Sequence, residues 1–169
     1  MDNQSFIPIT MCLSKVTLAA GTTTTISNTG TTVFAIRGKA YSKTAMTNVA
    51  TPTTDWATGA AFSAVKTDKG SVVMIGLDSD GTVRAIQGTI TDLDATGAFI
   101  NAPQFGGTGP SGSGTGNGDF CPIGYLVIKA GSTAAAAGWV FGTNNNSSVT
   151  GITYTFVDVC GWPDRPQIS

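Results

Sequence analysis

Histidine and glutamate are both missing from this 169-residue chain, and charge of either sign is scarce. Each absence removes a class of function. Without histidine there can be no Ser-His-Asp or Cys-His catalytic arrangement. Without glutamate an EF-hand loop has no bidentate final ligand; in the one stretch that opens like such a loop, Asp92-Leu-Asp94-Ala-Thr96-Gly97, that position is Pro103. Charged residues make up 11% of the chain, under half of the usual quarter or so. The basic ones (Lys15, Arg37, Lys39, Lys43, Lys66, Lys69, Arg84, Lys129 and Arg165) are scattered. Nucleic-acid binding needs them clustered, so no nucleic-acid partner is expected.

Other features are absent too. The three cysteines, Cys12, Cys121 and Cys160, include no CxxC pair. Without histidine they cannot make a four-ligand zinc site. They are expected to be buried small hydrophobes in a chain folded under reducing conditions. No apolar run approaches the length of a membrane span, so no membrane partner is expected. The first residues, Met1-Asp-Asn-Gln-Ser-Phe-Ile-Pro8, carry an acid where a signal peptide carries basic residues, and Pro8 interrupts the apolar stretch. The expectation is synthesis and folding in a cytoplasm.

What remains is a chain with 41% hydrophobic residues and 22 glycines, otherwise rich in Thr, Ser and Asn. That is too apolar for disorder and too rich in Thr and Gly for helices. Strand-like runs recur along it. Phe6 to Ala20 begins with alternation, and Val33 to Tyr41 would place Phe34, Ile36, Gly38 and Ala40 on one face of a strand. Ser71–Leu77 and Thr82–Ile90 flank Asp78-Ser-Asp-Gly81, which reads as a β-hairpin. Pro122–Lys129, Trp139–Phe141 and Ile152–Val159 follow, the last with Ile152, Tyr154, Phe156 and Asp158 on one face. Residues 44–64 read as a loop with one short helical turn.

The expected fold is all-β, a β-sandwich or jelly-roll-like single domain over residues 1–169 with irregular terminal arms. Residues 105–119 are a Gly/Ser-rich insertion, expected to be a flexible loop because it has no apolar surface to bury. Residues 161–169 form an extended tail, since two prolines rule out a regular ladder.

No motif carries chemistry. Gly107-Thr-Gly-Pro-Ser-Gly112 matches G-x-G-x-x-G, but more Gly and Ser follow where a helix should start. The pairs Asp78/Asp80 and Asp92/Asp94 fit turns whose carboxylates bond their own backbone. No enzyme, catalytic residue, cofactor or metal is expected. The residues expected to bind a partner are terminal: Phe6, Ile7 and Pro8 at one end, and Trp162, Pro163, Arg165 and Pro166 at the other. Trp and Arg commonly anchor interfaces.

Four stretches, Val33–Thr54, Gly70–Ile90, Phe120–Val140 and Thr153–Gln167, cover well over half of the chain. In them the sequence resembles auxiliary virion proteins of tailed bacteriophages, of the capsid decoration or cement type. The resemblance implies a homotrimer bound to the major capsid protein on the capsid exterior, which it would stabilise by protein–protein contacts. The Gly-rich insertion departs from the shorter connection expected there. The alternative is a receptor- or glycan-binding module associated with a phage tail or fibre.

Overall fold

The computed structural model describes residues 9–105 and 119–159. Among these the chain is all-β, with eleven strands, no helix and three antiparallel sheets. β1 (Met11–Cys12), β4 (Thr32–Ile36) and β5 (Lys39–Lys43) form one sheet, in the order β1-β4-β5. β2 (Ala19–Ala20), β3 (Thr25–Ser27) and β6 (Val49–Ala50) form a second, small one. The largest has β7 (Lys69–Leu77), β8 (Val83–Gln87), β10 (Cys121–Ala130) and β11 (Ile152–Asp158) in the order β11-β10-β7-β8, and β9 (Thr91–Asp92) also pairs with β7.

Period-2 alternation sets the large sheet. Val73, Ile75 and Leu77 of β7, Ala85 of β8, and Leu126, Ile128 and Ala130 of β10 are fully buried. With Cys12, Phe34 and Ile36 of the β1-β4-β5 sheet they form one core, capped by Phe62, Trp139 and Phe141. Burial of each large apolar side chain contributes about 1.5–3 kcal/mol, so this cluster is what holds the domain together.

The hairpin expected at Asp78–Gly81 forms, with Leu77 opposite Val83. Gly81 N–H donates to Asp78 C=O (2.9 Å) and Asp78 N–H to Thr82 C=O (3.1 Å). Gly81 has φ +73°. That is a three-residue loop with a left-handed glycine at its end. β10 and β11 also appear where alternation places them.

Val33 to Tyr41 is not one strand. It folds back between β4 and β5 in a two-residue turn, Arg37 (φ 50°) and Gly38 (φ 79°), with Ile36 opposite Lys39. Two consecutive left-handed residues make the turn whose twist matches a hairpin. Phe34 and Tyr41 therefore meet across the strands, with stacked rings 5.6 Å apart. Trp139–Phe141 is no strand either. Apart from a single bridge between Val65 and Trp139, this stretch reaches the core through irregular backbone. Within 44–64, the helical turn is one loop of backbone closed by Gly59 N–H to Asp55 C=O (2.8 Å) and not continued.

Candidate interaction surfaces

The five-stranded sheet has one face in the core and one outside. Register puts Val157, Tyr125, Met74 and Ile86 side by side across β11, β10, β7 and β8 on the outer face, with Val127 and Val72 beside them. Ile86 is buried, while Val72, Met74, Tyr125, Val127 and Val157 are only half-buried. This band carries no charge. Charges begin only at its margins: Lys129 lies over the Phe99 ring (5.1 Å), and Arg84 over Trp56 (4.0 Å). A strip of partly exposed apolar side chains without charge is the kind of surface that meets other molecules.

The two edges of the sheet differ. On the β8 side, Trp56 N–H donates to Ala85 C=O (2.8 Å) and Gln87 N–H to Asp55 Oδ2 (2.7 Å). Asp55 Oδ1 meanwhile accepts from Ala57 N–H (2.8 Å) and Thr58 N–H (3.0 Å), so one buried carboxylate ties the 55–59 turn to the strand. Farther along, Ile100 N–H donates to Asp92 C=O (3.0 Å) and covers β9. The 55–56 segment thus covers this edge at Ala85 and Gln87.

Among the described residues the β11 edge is open. The bonds that flank its ladder with β10, Gly131 N–H to Gly151 C=O (2.9 Å) and Val159 N–H to Ile123 C=O (3.1 Å), fix the phase. Thr153, Thr155 and Val157 exchange hydrogen bonds with β10, and Tyr154, Phe156 and Asp158 direct their N–H and C=O outward. None of these outward groups has a backbone partner among the described residues. Burial raises the Tyr154 phenol above its usual pKa, and its hydroxyl donates to Asn145 C=O (3.2 Å).

A cleft of about 590 Å³ opens between β5 and the Asp78–Gly81 turn. Trp56, Tyr41, Lys39 and Arg84 line it, together with Asp78, Asp80 and Asp119. Asp78 Oδ1 accepts from Asp80 and Thr82 N–H, and its Oδ2 from Arg84 Nε (2.9 Å). Asp119 accepts from Ser79 N–H and Oγ (2.8 and 2.6 Å). Asp78 and Asp119 are thus turn fasteners, as expected for Asp78; Asp80 joins the turn through its N–H and not, among the described residues, through its carboxylate. Trp56 Nε1 is buried with no acceptor among the described residues. No family model, curated protein or solved structure matches this chain.

The other singled-out residues resolve as follows. Asp94 Oδ1 accepts from Thr96 Oγ1, Thr96 N–H and Ala98 N–H. Those bonds, the Thr96 hydroxyl first, hold its pKa below the ordinary carboxylate value. Asp92 pairs with Lys69. Cys12 and Cys121 are buried thiols, and burial, aided by the neighbouring Cys12, pushes Cys121 up to about 12. Phe6, Ile7, Pro8, Trp162, Pro163, Arg165 and Pro166 lie outside the described residues, as do Cys160, the G-x-G-x-x-G stretch and all of 105–119 except its ends. The sheet edges and Asp55 were not legible beforehand. Only the exposed Thr153 and Thr155 between half-buried partners hint at a border strand.

Proposed function

We propose that this protein is a structural subunit of a bacteriophage particle, binding the capsid exterior as a decoration or cement protein through protein–protein contacts. The observation that carries the reading is the uncharged band Val157–Tyr125–Met74–Ile86 on the outer sheet face. Such a band gains little from steering by charge and much from area, and its weak contacts add up when many copies sit on one shell. The major capsid protein is the proposed partner, with the terminal arms as additional clamps. The test uses capsids that lack the protein. Wild-type chain should bind them in hundreds of copies per particle, on the order expected of a cement. Tyr125→Lys and a chain ending at residue 160 should each bind less while unfolding at the wild-type temperature. Undiminished binding by both variants would refute the face and the arm together.

A second reading has its own observation. The cleft that Trp56 and Tyr41 line, with Arg37, Lys39 and Arg84 balanced by Asp78, Asp80 and Asp119, suits a neutral sugar. It makes the protein a glycan-binding module of a tail or fibre, present in a few to dozens of copies. Binding of host-surface polysaccharide, lost in Trp56→Ala, would favour it over the cement reading.

A further inference from the structure

We infer that β11 is a self-pairing edge: two copies of the chain join by antiparallel β11–β11 pairing across a two-fold axis. The inference goes beyond attachment to a shell and is tested on the free protein.

Three observations lead to it. First, among the described residues the chain covers one edge of its largest sheet at Ala85 and Gln87 and leaves the outward backbone groups of the other unbonded. Asp55 and Trp56 occupy the Gln87 N–H and the Ala85 C=O, while among the described residues nothing bonds the outward backbone groups of Tyr154, Phe156 and Asp158; Leu18 N–H reaches only the Asp158 carboxylate (2.7 Å). A seven-residue strand with free N–H and C=O groups is a template for another strand. β11 carries neither lysine nor proline, the residues that commonly guard such edges.

Second, the edge suits a copy of itself electrically. Asp158 is its one charged residue, so the strand is neutral from Ile152 to Val157. The outward residues must pair with outward residues. Placing Phe156 opposite Phe156 of the second copy puts Tyr154 opposite Asp158. That register uses the outward Tyr154, Phe156 and Asp158 of each strand, makes six backbone hydrogen bonds, and sets no carboxylate against its own copy. On the outer face it brings Thr155 opposite Val157, so the apolar band continues from one molecule into the next.

Third, the 55–56 segment lies along the opposite edge of the same sheet at Ala85 and Gln87, so pairing within this sheet is favoured between like edges and has two-fold symmetry. A three-fold ring built by pairing edges would need β11 of one copy to meet a different open edge on the next. This differs from the homotrimer that the sequence resemblance implies.

The experiment is sedimentation of the purified chain over a range of concentrations, paired with amide hydrogen exchange. A reversible species of twice the 17.2 kDa chain mass is expected. As it forms, exchange should slow at Tyr154, Phe156 and Asp158, while Thr153, Thr155 and Val157, already bonded to β10, change little. The double variant Thr153→Lys with Thr155→Lys alters two exposed side chains and should sediment as a monomer with an unchanged unfolding transition. A monomer at every concentration, a trimer, or a dimer without slowed exchange at the three outward amides would overturn the inference. The exchange measurement decides the matter even where the lysine variant folds poorly.

Discussion

Asp55→Ala removes one buried carboxylate and strands the donors it holds. Gln87 N–H at 2.7 Å and Ala57 N–H at 2.8 Å are the shortest, with Thr58 N–H at 3.0 Å. A hydrogen bond to a charged group contributes about 1.5–3 kcal/mol. Thr58 is exposed and water can serve it, so the first two bonds dominate and the loss should be about 3–6 kcal/mol. For a domain of this size each kcal/mol moves the melting point by about 2–4 °C, so Tm should fall by roughly 6–24 °C. Asp55→Asn separates the two oxygens. Its carbonyl can still accept from Ala57 and Thr58, but its amide then faces the Gln87 N–H, donor against donor. About half of the loss should remain. Urea unfolding of both variants gives the values. Changes within about 0.5 kcal/mol, the range of an ordinary surface substitution, would show that the seal contributes nothing and would refute the reasoning.

Two further outcomes follow from the geometry. Cys121 titrates near 9.0 when unfolded and about 12 when folded, so above pH 9 the folded state holds the extra proton. The Cys121 contribution should therefore be flat below pH 9 and fall above it, by at most about 1.4 kcal/mol per pH unit, and urea titrations of Cys121→Ala should lose that share of the slope. Gly124→Ala would place a Cβ 2.8 Å from Val157 C=O and 3.0 Å from Leu18 Cδ2. Since the carbonyl belongs to the adjoining strand, the variant should lose about 1–3 kcal/mol by urea unfolding, and an unchanged midpoint would show slack between β10 and β11.

The all-β class was legible because each long strand keeps its alternation and one turn carries an Asp-Gly signature. Ser71 to Ile90 could be read as a hairpin for both reasons at once. Arg37-Gly38 could not, because Phe34, Ile36, Gly38 and Ala40 alternate as an unbroken strand would. What breaks them is a pair of left-handed backbone angles that composition does not reveal. Trp139 and Phe141 misled differently. Their burial looks like a strand in sequence, yet aromatic side chains can reach a core from irregular backbone, and here Asn145 C=O accepts the Trp139 indole N–H (2.8 Å). The interaction surfaces were least legible. Whether a strand lies at a border depends on strand order, a tertiary fact, and Asp55 resembles any turn aspartate until its second oxygen is seen on Gln87. The terminal residues chosen for their chemistry fall outside the described part of the chain, so the partner surfaces now rest on the sheet instead.

Sealing one border of the large sheet also sets a ceiling on growth. A sheet with two open borders can recruit copies at both and lengthen into a fibre, a hazard that rises with the amount of protein made. Here the Asp55 turn acts as a stopper on one side, and among the described residues strand addition to this sheet is left to the β11 border. Under the proposed β11 pairing the carboxylate that stabilises the fold would also limit assembly, and Asp55→Ala should aggregate more readily than the wild type.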